Sequence, residues 1–163
     1  MTSAGRIIVG MADLNCLKHP AALATLGLGS CIGIALYDPS SRVIGMAHCM
    51  LSDSTKFTVD KNRAKYVDTA IVDLIDAMAK LGAARHNLKA KVAGGAQMFA
   101  VCGCNNIMKI GDNNIEATVS MLGKLHIPIV SRETGGTFGR TIELSSEDFR
   151  LSIKAIGQAV RYI

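Results

Sequence analysis

The sequence predicts a single mixed α/β sandwich with largely antiparallel sheets and two main helices. Its 163 residues are enough for one domain with a sizeable core, and no linker, repeat or low-complexity segment divides them. Since 49% of the residues are apolar, disorder is not expected. Strand-like runs follow one another directly, which is typical of hairpins rather than of a doubly wound sheet. We therefore expect one domain over residues 1–163.

Seven segments have the apolar runs of β-strands, and each is bounded by Gly, Pro, Asp or Ser. Three of them precede the first predicted helix, one lies between the two helices, and three follow the second helix. They are residues 7–11, 31–37, 43–51, 88–92, 127–130, 140–144 and 149–153.

The first helix is predicted in residues 60–82, where Asp60 can cap the start and Gly82 can end it. Apolar residues recur at helical spacing along one face of this segment, as in a helix that packs on a sheet. They are Ala64, Val67, Ile71, Leu74, Ile75, Met78 and Leu81.

The second helix is predicted to begin after Asp112 or Asn113, either of which can cap it, and to end before Pro128. Its apolar residues again indicate one buried face, so both helices are expected to cover a sheet. The predicted buried residues are Ile115, Val119, Leu122 and, as a further candidate, Leu125.

Charge and composition limit the classes of function. The formal net charge is +5, but the Lys and Arg residues are scattered and aromatic side chains are few, so nucleic acid binding is not expected. The positive excess instead favours encounter with an acidic protein surface. No charged leader and no apolar stretch of about eighteen residues is present, so we expect a cytoplasmic protein without membrane insertion. Five cysteines, an odd number without repeating spacing, indicate reduced thiols.

A cysteine and a histidine lie in two neighbouring predicted strands joined by the turn sequence DPSSR. If Asp38 pairs with Val43, His48 faces Gly33. Cys31 and His48 then share a face as diagonal neighbours, roughly 7 to 8 Å apart at the backbone. A shift of one residue would put them on opposite faces. Gly33 has no side chain, which predicts room for the imidazole to lean toward the thiol.

Such a pair has the chemistry of a nucleophile and its base. An imidazole can take the proton of the Cys31 thiol, and the thiolate can attack an amide or ester carbonyl to form a thioester. The segment GLGSC predicts a flexible approach in which Gly27 and Gly29 leave backbone N–H groups open. These groups, with those of Ser30 and Cys31, are candidates for an oxyanion hole.

A third group should orient the histidine, and the hydroxyl of Thr25, six residues before the cysteine, is a candidate. The alternative is that Cys31 and His48 are ordinary core residues. Free cysteines are among the most buried residue types, and on the residue pattern alone this structural interpretation is the more common outcome. The pattern therefore leaves both interpretations open.

No cofactor and no metal are predicted. Cys102 and Cys104 form a lone C-x-C without a second ligand pair, and GLGSCIG departs from the dinucleotide fingerprint. Cys49 follows His48 and should face the opposite side of the sheet, as a core residue. Two glycine-rich loops, GGAQMF and TGGTFGR, are predicted to serve turn geometry.

Five sequence blocks between residues 24 and 144 resemble the CheD family, the chemoreceptor glutamine deamidases of bacterial chemotaxis. They are TLGLGSC, LYDP, GMAHCML, KVAGGAQMF and IPIVSRETGGTFGRTIEL. The resemblance implies a cysteine amidohydrolase that converts glutamines on the cytoplasmic helices of chemoreceptors to glutamates, with Thr25, Cys31 and His48 as its catalytic residues. Some members also hydrolyse glutamate methyl esters. Because the resemblance runs through both glycine-rich loops, it implies that they line the site, where Gln97 and Arg140 either contact substrate or brace a loop without being catalytic.

The resemblance also implies a fold and a partner. The fold is an α/β/β sandwich related to the catalytic domain of the cytotoxic necrotizing factor toxins, and the partner is the phosphatase CheC. The chain departs from the family pattern in NCLKHPAALA before Thr25, at Ser52, where a proline is common, and in SSEDF near the last hairpin. These departures bear on which receptors and which partner the protein recognises.

Two other functions remain alternatives. A non-catalytic module that binds CheC or receptors and regulates them would need no working thiol. A cysteine protease is a third hypothesis. It is less favoured, because a shallow site on a sheet edge suits a side-chain amide on a helix better than an extended backbone.

Overall fold

Two β-sheets and a layer of two helices make up the part of the chain that the computed structural model describes, residues 5–57, 61–98 and 109–163. The helices are α1 (Val67–Lys80) and α2 (Ile110–Lys124), and 3-10 turns lie at Ser54–Lys56, Arg63–Lys65 and Arg85–Asn87. No helix in these ranges is long and apolar enough to cross a membrane. The strands are β1 (Gly5–Ile8), β2 (Asp13–Lys18), β3 (Ala21–Leu28), β4 (Ile32–Asp38), β5 (Val43–Cys49), β6 (Lys89–Gly94), β7 (Ile129–Thr134), β8 (Arg140–Ser145), β9 (Leu151–Lys154) and β10 (Arg161–Tyr162).

Each sheet has five described strands and mixed pairing. The first sheet has the order β1-β3-β8-β9-β10 and the second has the order β2-β5-β4-β6-β7. The pairs β1–β3 and β6–β7 are parallel, and the other described pairs are antiparallel. The predicted α/β class, with two main helices and largely antiparallel sheets, is confirmed.

The second sheet is the middle layer, because both of its faces are covered. Along β4, Ile34 and Leu36 pack under the helices, whereas Ala35 and Tyr37 pack against the first sheet. Successive side chains of a strand point to opposite faces, so this alternation places one apolar core on each side of the second sheet. The order of the layers is helices, second sheet, first sheet.

All seven predicted strand segments overlap an observed strand, but β2, β3 and β10 are not among them. Strand β3 consists largely of Ala, Leu and Gly, which lack the β-branched and aromatic signature of strands. It is largely buried between β1 and β8. Because Gly27 and Leu28 belong to this strand, the prediction of a flexible approach is wrong at its start. A bulge between Thr25 and Leu28, with Gly27 at φ 67°, interrupts the pairing with β8, which resumes at Leu28.

Helix α1 begins later than predicted. A 3-10 turn at Arg63–Lys65 and an extended Tyr66 precede it, so Ala64 is not part of the helix, and Asp60 lies outside the described residues. The predicted apolar face is confirmed from Val67 to Met78, but the prediction is wrong for Leu81, which follows the last turn and is 36% exposed. The buried residues of α1 are Val67, Ala70, Ile71, Leu74, Ile75 and Met78.

Helix α2 begins earlier than predicted, and its predicted buried face is confirmed in part. Leu122 is buried, and Ile115 and Leu125 are partly buried against the core. The helix starts at Ile110, before Asp112, and Val119 is 38% exposed. The residues that face the sheet are small or polar because the helix approaches backbone closely. A Cβ on Gly111 would lie 2.5 Å from the carbonyl oxygens of residues 95–96. The buried residues of α2 are Gly111, Asn114, Thr118 and Leu122.

Candidate active site

The hairpin of β4 and β5 brings the candidate cysteine and histidine to one face. Asp38 pairs with Val43 and Gly33 pairs with His48, so the predicted register is confirmed. Cys31 packs in the core between the two sheets, whereas Cys49 packs under the helices, as predicted for a core residue. His48 also points toward the first sheet, where its ring contacts a residue of β3.

Gly33 has a different role from the one predicted. A Cβ at this position would lie 2.6 Å from Cδ1 of Ile142 and 2.8 Å from Cδ1 of Leu28. The space above Gly33 is therefore filled by side chains of the first sheet rather than left for the imidazole. The glycine allows the two sheets to pack closely beside the site.

The ring of His48 is held from one side by Thr25. The Thr25 Oγ1 lies 2.7 Å from His48 Nδ1 and 2.7 Å from the carbonyl oxygen of Val9. A carbonyl only accepts, so the single hydroxyl proton is donated to Val9. Nδ1 must then carry the ring hydrogen and donate it to Oγ1. In the neutral ring this tautomer leaves Nε2 with a free lone pair.

The second ring nitrogen of His48 is available. Nε2 is buried and has no hydrogen-bond partner in the described part of the chain, so it does not bond to the Cys31 thiol in this structure. Burial lowers the pKa of His48. A neutral imidazole with an unprotonated Nε2 is the form of a general base.

The candidate nucleophile is a protonated thiol in its resting form. Cys31 is 9% exposed and free of disulfide. Burial raises the pKa of the thiol, and the backbone N–H of Cys31 itself opposes that rise. Because burial disfavours both charged forms, the resting pair is neutral thiol and neutral imidazole rather than thiolate and imidazolium.

The backbone before Cys31 offers fewer open N–H groups than predicted. The N–H of Gly29 donates to the carbonyl of Gly27 at 3.0 Å, so the Gly29 amide is not open. The N–H groups of Ser30 and Cys31 have no acceptor on another residue among those described. Met98 covers this segment, since a Cβ on Gly29 would lie 3.1 Å from its Cγ. An oxyanion site thus stays a prediction for Ser30 and Cys31.

Arg140 braces a loop beside the site. Its Nη2 donates to the carbonyl of Gly135 at 2.7 Å, and its Nε donates to Glu133 Oε1 at 3.1 Å. The N–H of Gln97 donates to the carbonyl of Gly136 at 2.9 Å, which ties this loop to the segment after β6. For Arg140, the bracing alternative is the one observed.

Asn114 is a residue of the site that sequence reasoning missed. It is fully buried, and its Nδ2 donates to the carbonyls of Ser30 at 2.9 Å and Met50 at 3.0 Å. The available signal was the helical spacing of the small and polar residues Gly111, Asn114 and Thr118. A helix face made of small and polar residues is not detected when only apolar residues at helical spacing are considered.

Metal ligands do not cluster in the described ranges, where no group of three or more His, Cys, Asp or Glu side chains is arranged to hold an ion. Cys102 and Cys104 lie outside those ranges, so their predicted role as free thiols stays a prediction.

Comparisons with known proteins agree on one family. The family model described as CheD chemotactic sensory transduction matches residues 50–155. A probable chemoreceptor glutamine deamidase CheD of Lachnoclostridium phytofermentans is 50% identical over 157 residues, 96% of this chain and 98% of the relative. The chemoreceptor glutamine deamidase CheD of Halalkalibacterium halodurans is 49% identical, with 95% and 96% covered. That of Bacillus subtilis is 43% identical, with 99% and 98% covered.

A solved structure, the Bacillus licheniformis hypothetical protein YfiH, has a TM-score of 0.45 at 15% identity, over 77% of this chain and 50% of that one. This likeness is too low to argue from. The family model begins at Met50, after the three candidate residues, but the relatives span nearly the whole chain. With identities of 43–52% over that length, the chain belongs to the CheD family.

Proposed function

We propose that this protein hydrolyses the side-chain amides of selected glutamines on chemoreceptors, which yields glutamate and ammonia. The observation that carries the proposal is the hydrogen-bonded series from Val9 through Thr25 to His48, which leaves Nε2 free on the same face as Cys31. The relatives are named chemoreceptor glutamine deamidases, which supports glutamine side chains of chemoreceptors as the substrate.

The first half-reaction forms a thioester. His48 Nε2 takes the thiol proton as the Cys31 sulfur attacks the amide carbon, and the carbonyl oxygen becomes an oxyanion held by the N–H groups of Ser30 and Cys31. The imidazolium returns the proton to the departing nitrogen. The carbon–nitrogen bond breaks, and ammonia leaves.

The second half-reaction restores the enzyme. His48 Nε2 takes a proton from a water molecule, whose oxygen attacks the thioester carbon. The carbon–sulfur bond breaks, the thiol regains its proton from the imidazolium, and the glutamate side chain is released. Thr25 acts throughout by accepting the Nδ1 hydrogen, which keeps Nε2 as the reacting nitrogen.

The same thioester route supports the hydrolysis of glutamate methyl esters, with methanol in place of ammonia, and we include it in the proposal. A partner of the CheC type, a fold related to the cytotoxic necrotizing factor catalytic domain and a cytoplasmic location remain predictions from the resemblance and the composition. So does the alternative of a non-catalytic binding module.

The test uses purified protein and a chemoreceptor cytoplasmic fragment, with glutamine-to-glutamate conversion measured by mass spectrometry. Cys31→Ala should lower the rate at least about 10³-fold, because the nucleophile is lost. Cys16→Ala, which removes a half-buried thiol of β2, is the matched control and should keep the wild-type rate. Full activity of Cys31→Ala would refute the proposal. Full chemotactic signalling by Cys31→Ala in a deletion strain would favour the binding module.

A further inference from the structure

We propose that Asn114 is a positioning residue that sets the separation between the segment carrying Cys31 and the strand carrying His48; this inference rests on the proposed function. The fully buried Nδ2 of Asn114 donates to the carbonyls of Ser30 and Met50, at 2.9 Å and 3.0 Å. Ser30 directly precedes Cys31, and Met50 follows His48 by two residues. One amide group thus joins the two segments that carry the nucleophile and the base.

This bridge lies just beyond the end of the backbone ladder. The pairing of β4 with β5 ends one residue before Cys31 is reached on one strand and Met50 on the other. There the N–H of Met50 donates to the carbonyl of Lys65 at 2.8 Å, and the carbonyl of Cys31 accepts from Gly95 at 2.8 Å. These two backbone groups therefore form hydrogen bonds with other parts of the chain and not with each other. In the described part of the chain, Asn114 supplies the hydrogen bonds that join them.

Helix α2 is itself held close to the cysteine segment. A Cβ on Gly111 would lie 2.5 Å from the carbonyl oxygens of residues 95–96, so the helix packs there at backbone contact. The N–H groups of residues 95–96 donate in turn to the carbonyls of Cys31 and Gly29, both at 2.8 Å. The position of Asn114 is thereby fixed relative to the thiol.

A role in packing alone does not account for the amide. The Oδ1 of Asn114 is buried and has no hydrogen-bond partner among the described residues. A buried acceptor without a partner destabilises a fold, and an apolar side chain would avoid that loss. Leu122 fills the same helix face two turns later in that way. The two carbonyls that the amide joins explain its presence.

The two roles predict different kinetics. If the bridge only stabilised the fold, its loss would lower the melting temperature but leave each folded molecule as active as before. If it positions Cys31 and His48, its loss lowers kcat and leaves KM nearly unchanged, because the misplaced groups react without contributing to substrate binding.

The variant Asn114→Leu keeps the approximate size of the side chain and removes both donors. The variant Asn114→Asp keeps the shape and can donate at most one hydrogen bond, so it cannot join both carbonyls. We expect kcat for deamidation of a receptor fragment to fall about 10²-fold, with KM changed by less than about threefold. Two controls should keep the wild-type kcat. Asn113→Asp makes the same change at an exposed neighbour, and Thr118→Val removes a buried hydroxyl that bonds only within the helix.

A second readout does not depend on deamidation. Iodoacetamide alkylation of Cys31 is followed by mass spectrometry on the tryptic peptide of residues 19–42, which contains no other cysteine. The rate at about pH 7 is divided by the rate at about pH 10, where hydroxide can take the thiol proton in place of His48. His48→Gln should lower this ratio about tenfold. Asn114→Leu and Asn114→Asp should lower it to the same extent.

Wild-type values of both kcat and the alkylation ratio in the Asn114 variants would overturn the inference, as would equal losses in the two controls. If neither variant folds, Asn114→Ser, whose single hydroxyl proton can bond to only one of the two carbonyls, is measured with the same expected losses. Wild-type protein that does not deamidate receptors, but whose alkylation ratio depends on Asn114 and His48, would refute the proposed function and support the positioning role. Deamidation by the wild-type protein, together with an alkylation ratio that does not depend on Asn114, would support the proposed function and refute the positioning role.

Discussion

The hairpin of β4 and β5 buries a polar side chain near each end, and the two differ in how they are satisfied. At the turn end, Asp38 accepts from the backbone N–H groups of Ser40, Ser41 and Ala84, at 2.8, 3.3 and 2.9 Å. Burial would raise the pKa of this carboxyl, but these hydrogen bonds outweigh burial and lower it. At the open end, burial lowers the pKa of His48, whose Nε2 has no partner among the described residues.

The difference separates a group that holds the fold from a group kept available for chemistry. Both carboxylate oxygens of Asp38 accept hydrogen bonds from the backbone, so its charge is stabilised and neither oxygen is placed to contact a substrate. Among the described residues, His48 has a hydrogen-bond partner on one ring nitrogen, and the other nitrogen lies on the same face as a thiol. Buried polar atoms are seldom left unpaired, and one that is unpaired beside a nucleophile points to a reaction.

The largest expected effect comes from removing the bond that orients His48. Thr25→Val keeps the shape of the side chain but leaves the Nδ1 hydrogen without an acceptor, so the ring loses its preferred tautomer. We expect kcat on a receptor fragment to fall about 10²- to 10⁴-fold, as happens in known enzymes when the group that orients a catalytic histidine is lost. Thr25→Ser keeps the hydroxyl and should stay within about tenfold of wild type. Equal activity of Thr25→Val and Thr25→Ser would contradict the orienting role.

The next effect concerns the close approach of α2 to the open end. Gly111→Ala places a methyl group 2.5 Å from two carbonyl oxygens, so the helix must shift. We expect a loss of about 1–3 kcal/mol in the free energy of unfolding, measured by urea denaturation, together with a lower kcat. Gly123→Ala, on the same helix with nothing within 4 Å of its added methyl group, should stabilise by about 0.5–1 kcal/mol. The same sign for both substitutions would show that the contact at Gly111 is not tight.

A smaller effect is expected at the turn end, and it should be confined to stability. Asp38→Asn replaces a charged acceptor of three N–H groups with a neutral amide, which should lower the free energy of unfolding by about 2 kcal/mol. The kcat of the folded protein should not change. Urea denaturation and deamidation kinetics on the same preparation separate the two quantities. A fall in kcat comparable to that of Thr25→Val would show that Asp38 affects activity as well as stability, and the proposed difference between the two ends of the hairpin would be wrong.

The sequence was most informative where the structure depends on local geometry. The turn DPSSR fixes which residues of β4 and β5 face each other, and the pairing of Gly33 with His48 follows from it. Strand β3 was not predicted, because its alanines and its single glycine are not residues typical of strands. It is a strand because it pairs with β1 and β8 and is largely buried between them.

Long-range contacts were beyond the sequence pattern. Asn114 bonds to carbonyls 84 and 64 positions away, and no local rule relates those positions. Thr25 was a candidate from its nearness to the cysteine and from the family resemblance. The carbonyl of Val9, which decides the direction of its hydrogen bond, could be seen only in the fold.

The smallest expected effect is the pH dependence of stability, in which the two ends should act in separate ranges. Both groups have a lowered pKa in the folded protein, so each contributes stability above its unfolded pKa and loses it as the pH falls. For His48 the loss should begin below its ordinary pKa of 6.5, and for Asp38 below 3.8. The free energy of unfolding as a function of pH, measured for wild type, His48→Gln and Asp38→Asn, gives each contribution by difference. A His48 contribution that grows as the pH falls would mean that the folded protein favours the imidazolium, and the neutral resting pair inferred for this site would then be wrong.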